Sequence, residues 1–245
     1  MNELHENPFM RRMGEHGSAI VGHIFPDGAP EPVRALTAVE DYSAGCLVSA
    51  SHVVDICDQL EIALAYMSGY RQRQRRQGEV ITRYEHVGYE LENLFLRMTS
   101  VVDRSLKLTN VVFQLGIPPR ECRFQTVADN THVSSTQIRS RLREIDKSVK
   151  PYRTVRNGIA HHEAYSDPRL KHLEPYSILE RTGALEGLGP HAAHSFKVSM
   201  DAYVAVKRED LEPAVDALRI CVGNFLTELL PIYDGRHSAL SARHA

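Results

Sequence analysis

Arg153, Asn157 and His161 stand four residues apart in the stretch Tyr152-Arg-Thr-Val-Arg-Asn-Gly-Ile-Ala-His-His162, with Arg156 beside them. On a helix this i, i+4, i+8 spacing lines the three along one strip of surface. The residue types suit cleavage of RNA without a metal. That reaction needs a base for the 2′-hydroxyl proton, an acid for the leaving 5′-oxygen and a cation for the crowded phosphorane. An imidazole with an ordinary pKa of about 6.5 gives or accepts a proton at cell pH, and a guanidinium stays charged and grips phosphate oxygens with paired donors. Asn157 orients either group. One chain supplies no second proton-transfer group, so the chemistry calls for a homodimer that apposes two copies of this helix. The competing reading is structural, with Arg153 and Arg156 paired to carboxylates such as Glu90, Glu92 or Asp103 and His161 at a helix carboxyl end.

Between Arg120 and Arg156 the chain holds nine basic side chains (Arg120, Arg123, Arg139, Arg141, Arg143, Lys147, Lys150, Arg153, Arg156) against four acidic ones (Glu121, Asp129, Glu144, Asp146). Next to a phosphodiester-cleaving motif such a stripe suits an RNA backbone, and binding weakens as salt rises. Arg143, Lys147, Lys150, Tyr152, Arg153 and His162 are therefore the candidate RNA-binding residues, Tyr152 and Tyr165 being placed to stack on one splayed base. His161-His162-Glu163 and His191-x-x-His194 lack a third partner for a metal, because adjacent histidines on a helix point about 100° apart. No phosphate-binding glycine loop, kinase set or Gly-x-Ser-x-Gly elbow is present. No metal and no cofactor are expected.

These residues must be held by helices. Val53, Cys57, Leu60, Leu64 and Met67 share one face of a helix expected from about Ser51 to Gln77, whose basic end Arg71-Gln-Arg-Gln-Arg-Arg76 meets the negative end of the helix dipole. A second helix spans roughly Thr82 to Leu115 and stops at Gly116-Ile-Pro-Pro119. Arg120 to Asn130 reads as a connection. A third helix begins near Ser134 or Ser135, buries Ile138, Leu142, Ile145 and Val149, and is interrupted by Pro151. The motif helix follows over 152–162, closed by Ser166-Asp167-Pro168. Residues 167–194 read as a long loop. The alternation of Phe196, Val198, Met200, Ala202, Val204 and Val206 favours strand, or a small β-hairpin, near 195–207. Leu211, Val215, Leu218, Val222, Phe225 and Leu229 define a last helix ended by Pro231 and Gly235.

The expected organisation is an irregular extension over 1–46, in which Ser18 to Phe25 offers a short strand, then a helical domain over 47–235 and a flexible tail over 236–245. At 245 residues and 42% hydrophobic content the chain can bury a sizeable core, and 29 basic against 31 acidic residues create no global pull toward nucleic acid. Cys46, Cys57, Cys122 and Cys221 are too scattered for a disulfide framework. No apolar run approaches the roughly 20 residues of a membrane span, and the charged amino terminus is no signal peptide, so a cytoplasmic protein is expected.

Arg156-Asn157-Gly158-Ile159-Ala160-His161 resembles the Arg-x(4 to 6)-His motif of HEPN domains, in the form with a polar residue after the arginine. Its place late in a helical array, ahead of an apolar carboxy-terminal helix, resembles that family too, over roughly residues 50–233. The resemblance implies an all-α, HEPN-like bundle of four to five helices. It further implies a metal-independent endoribonuclease that dimerises to build a shared cleft, leaves a 2′,3′-cyclic phosphate and a 5′-hydroxyl, and serves as a toxin or phage-defence effector. Arg156 and His161 would be the catalytic pair and Asn157 the supporting residue. A non-catalytic module binding RNA or a protein, such as an antitoxin or regulator, is the alternative the same resemblance carries.

Overall fold

The computed structural model describes residues 4–26, 32, 34–71, 73–74, 80–161, 164–165 and 167–244. They are overwhelmingly helical: α1 (Pro8–Ile24), α2 (Ala38–Ser68), α3 (Arg83–Val112), α4 (Phe124–Val127), α5 (Thr131–Ser134), α6 (Ile138–Val149), α7 (Arg153–His161), α8 (Pro168–Arg181), α9 (Ala184–Gly187) and α10 (Pro190–His244). A 3-10 turn, Lys150–Tyr152, leads into α7. The described β-structure is a pair of two-residue antiparallel strands, β1 (Arg73–Gln74) and β2 (Val80–Ile81), in which Arg73 faces Ile81. The all-α expectation holds, and no described helix is long and apolar enough to cross a membrane. Two compact units are present, and each has its own core.

The first unit comprises Met1–Cys57, Ser100–Val149 and Ala217–Ala245. Its N-terminal segment corrects the irregular-extension reading, since Pro8–Ile24 is helix rather than coil with a strand at 18–25. Asn7 caps α1 by accepting from the Phe9 amide at 2.9 Å, and its own amide nitrogen donates to Gly223 O and Thr227 Oγ1 of α10, both at 3.0 Å. Phe9 and Met13 are buried, and the Phe9 ring meets Tyr233 edge-on at 5.9 Å between centroids, while Tyr233 donates to Ser43 Oγ at 2.9 Å. The expected inward face of α6 is realised, with Ile138, Leu142, Ile145 and Val149 all buried. The stop at Gly116 is realised too: Gln114 and Gly116 take positive φ of 52° and 69°, and the Asn110 side chain closes the turn on both backbone groups of Ile117. None of the four cysteines is in a disulfide.

The second unit comprises Asp58–Thr99 and Lys150–Asp216. Leu60, Leu64 and Met67 bury the face of α2 that periodicity predicts, and Val87, Leu91, Leu94 and Met98, at the same helical spacing, bury one face of α3. Thr82 and Glu85 cap α3 reciprocally, Thr82 N donating to Glu85 Oε2 at 2.9 Å and Glu85 N to Thr82 Oγ1 at 3.2 Å. α2 ends at Ser68, short of the expected Gln77. Of its basic end, Arg71 is exposed and 72 and 75–79 lie outside the described residues.

Three further expectations fail. Residues 167–194 are not a long loop but α8, α9 and the first residues of α10; α8 starts here because Asp167 Oδ1 accepts from Leu170 N at 2.9 Å and Pro168 occupies the first helical position, where a missing amide is harmless. Residues 195–207 are helical, not a hairpin. Phe196, Met200, Tyr203 and Val204 bury one helical face, while Val198 and Val206 of the apparent alternation are 50% and 36% exposed. Finally, α10 continues through Pro231 and Gly235 to His244, so the 236–245 tail is helix up to that point.

Candidate functional site

The motif forms α7 as expected, though its placement is shallow: no residue of α7 is buried. On 3.6-residue geometry Arg156, Arg153, Asn157 and His161 fall within an arc of about 140°, with Val155 and Ile159 on the opposite side. The exposure pattern agrees, since Arg153, Asn157 and His161 are exposed, while Arg156, Val155, Gly158 and Ile159 are half-buried. Arg156 Nη1 donates to Asn157 Oδ1 at 3.0 Å, which gives the asparagine a definite task, holding one edge of the guanidinium and leaving its other donors for an anion.

The structural alternative finds little support at Arg156. Within this unit no carboxylate pairs with it among the described residues. Glu92, one of the acids considered, accepts from the Tyr165 amide through Oε1 at 2.6 Å instead.

A helix without buried residues has to be positioned from its ends, and aromatic contacts on α3 do this. Tyr152, just before α7, stacks on Phe95 with ring centroids 5.8 Å apart, and Tyr165, just after it, meets the same ring at 5.2 Å. Both tyrosines are thus half-buried against Phe95, and burial pushes both phenols' pKa values up. Tyr165 is fastened further by Asp167. Asp167 Oδ2 accepts from Tyr165 OH at 2.9 Å and Tyr203 OH at 2.8 Å, and pairs with Lys207 Nζ at 2.8 Å. Burial alone would raise the Asp167 pKa, but the hydrogen bonds from Lys207, Leu170, Tyr203 and Tyr165 outweigh it and hold the carboxyl well below its usual range. Sequence reasoning missed Phe95 and Asp167 as positioning residues. The Asp167-Pro168 pair carried the signal for the second.

The other candidates divide between the units. Lys150 is exposed in the turn before Arg153, and His162 lies outside the described residues. Arg143 and Lys147 belong to the first unit, exposed one turn apart on α6, and neither forms an ion pair among the described residues. The rest of that basic stripe is partly neutralised, Arg139 by Asp129 at 2.6 Å and Arg141 by Glu144 and Glu228 at 3.1 and 3.2 Å. Among the described residues no three His, Cys, Asp or Glu side chains gather as a metal site.

Gly158 is mid-helix, and a Cβ built there meets nothing within 4 Å. Gly158→Ala is expected to stabilise the protein by about 0.5–1 kcal/mol, since only helix propensity changes. Thermal unfolding checks this, and a lowered melting temperature would show that the site is tighter than its geometry.

A family model described as HEPN_Cthe2314-like HEPN matches residues 52–205, a span that contains the whole of α7 and both of its anchoring tyrosines. Comparisons with curated proteins and with solved structures give no match.

Proposed function

The chain belongs to the Cthe2314-like HEPN family, and from that premise we propose that it is a metal-independent endoribonuclease acting as a homodimer. The observation that carries the reading is the exposed face of α7, on which Arg156, held by Asn157, shares one strip with His161. The 2′-hydroxyl oxygen attacks phosphorus after losing its proton to one imidazole, and the P–O5′ bond breaks as O5′ takes a proton from a second acid. The products are a 2′,3′-cyclic phosphate and a 5′-hydroxyl. Arg156 stabilises the charge of the phosphorane. Because α7 presents a single described imidazole, the second proton-transfer group comes from the same helix of a symmetry-related copy. Such an activity suits a toxin or phage-defence effector, restrained by an antitoxin or regulatory protein.

The test is incubation of mixed RNA with purified protein in excess chelator, with end-group analysis of the fragments. Cyclic phosphate ends that disappear in His161→Ala support the reading, and equal activity in wild type, His161→Ala and Arg156→Ala overturns it. An inactive wild type that still binds RNA identifies a binding module instead.

RNA affinity should also fall with salt. Each phosphate contact removed lowers the slope of log K against log salt by about 0.7 for a single strand. Replacing Arg143, Lys147 and Lys150 together by alanine is expected to reduce that slope by roughly 2, measured by fluorescence anisotropy at several salt concentrations. An unchanged slope would remove these three from the RNA path.

A further inference from the structure

In the second unit the first turns of α3 border a cavity of about 820 Å³, lined in part by Tyr66, Tyr70, Arg71, His86, Tyr89 and Glu90. Most polar groups there are engaged. Tyr70 OH donates to Ile81 O at 2.7 Å, His86 Nε2 donates to Tyr66 O at 2.7 Å, and Glu85 takes the Thr82 amide and pairs with Arg181. Glu90 is different: it is only 8% exposed, and among the described residues it forms no hydrogen bond or ion pair. With no protein donor on its carboxylate among the described residues, Glu90 borders the cavity with both oxygens open to the donors of a ligand. Burial accordingly pushes its pKa up, against the pull of His86 and Arg97. Two large aromatic side chains at the same cavity, Tyr66 and Tyr89, are left 59% and 63% exposed.

We propose that this cavity is a guanine-binding subsite for single-stranded RNA, in which Glu90 accepts the two adjacent donors of the base. The proposal rests on the RNA-directed reading above and adds a base preference to it. Guanine presents N1–H and N2–H side by side on its Watson–Crick edge, a match for the two oxygens of one carboxylate. Adenine and cytosine offer one donor beside an acceptor there, and uracil one donor between two acceptors. Tyr66 and Tyr89 supply faces for stacking, and Arg71 supplies a cation for the attached phosphate. An alkylammonium ligand would also favour tyrosines and a carboxylate, but Arg71 on the same wall repels a cation and suits an anion.

Calorimetric titration of the full chain with GMP, IMP, AMP, CMP and UMP tests the proposal. GMP is expected to bind at least about 10-fold more tightly than AMP, with IMP, lacking the N2 amino group, in between. Glu90→Gln should abolish the preference without lowering the melting temperature, because burial already disfavours the charged carboxylate. Tyr89→Ala, an exposed change, should weaken all five nucleotides together. Equal binding of GMP and AMP, a preference that survives Glu90→Gln, or spermidine displacing GMP at equal concentration would each overturn the subsite. The guanine preference is measured without turnover, so its failure and that of the nuclease reading are separable. A protein that selects GMP but cuts nothing loses only the nuclease assignment, and one that cuts RNA without selecting GMP loses only the subsite.

Discussion

His161→Ala is expected to lower RNA cleavage by about 10²–10⁴-fold, the usual contribution of a positioned proton-transfer group, while leaving the melting temperature unchanged. The side chain is exposed at the last position of α7, and substitutions at such sites shift stability by no more than about 0.5 kcal/mol. Arg156→Ala is expected to lose about 10²–10³-fold, as when one stabilising donor is taken from a developing oxyanion. Asn157→Ala should lose less, because it frees the guanidinium without removing its charge. A stronger test is mixing. If each composite site draws an imidazole from both copies, diluting wild type with an equal amount of His161→Ala and allowing subunits to exchange leaves about one quarter of the starting activity per total protein. If each chain acts alone, about one half remains. The quadratic outcome is the one expected here, and a linear dilution curve would remove the shared site.

The motif and its helix were legible because their signals are local. Arg153, Asn157 and His161 repeat at helical spacing, and the burial of Ile138, Leu142, Ile145 and Val149 follows from the same periodicity. The errors share a physical cause. At Asp167-Pro168 and Gly189-Pro190 proline reads in the sequence as a mark of loop where it opens a helix, as Pro8 also does, its fixed φ and absent amide being suited to the first position. Pro175 and Pro231 lie inside helices, where packing outweighs the loss of one backbone hydrogen bond. The valines at 198, 204 and 206 favour strand by intrinsic preference. Burial of Phe196, Met200 and Tyr203 on one face decides for helix, a tertiary effect no local window reports. Glu90 is legible in the sequence only as a candidate ion-pair partner of Arg153 or Arg156. Its isolation beside the tyrosines depends on how α2 and α3 meet, and sequence spacing does not contain that.

Asp167→Ala is expected to destabilise the protein by about 3 kcal/mol, combining the loss of the α8 cap, about 1 kcal/mol, with the loss of charge-assisted hydrogen bonds, about 1.5–3 kcal/mol. For a chain of this length that lowers the melting temperature by roughly 6–12 °C. The pH dependence has a definite sign. The folded pKa of Asp167 lies below its ordinary value, so the contribution is fully present above an unfolded pKa of about 3.9 and is lost as pH falls toward the folded value. Burial would lower Lys207, but its hydrogen bonds and charge interactions with Asp167 and Tyr165 together outweigh it and hold its pKa up, so its share persists until the pH climbs past about 10.4. The gap in melting temperature between wild type and Asp167→Asn should therefore be flat from about pH 5 to 9 and close below about pH 4. A gap that persisted into acid would assign the stability to the neutral contacts alone. Asp167 also reaches α7 through Tyr165. Well below the variant's melting temperature, where it is fully folded, Asp167→Asn should still cut RNA about 10-fold more slowly, since small misplacements of reacting groups cost rate steeply. Normal turnover in that folded variant would confine Asp167 to the fold and leave Phe95 as the residue that aims the motif helix.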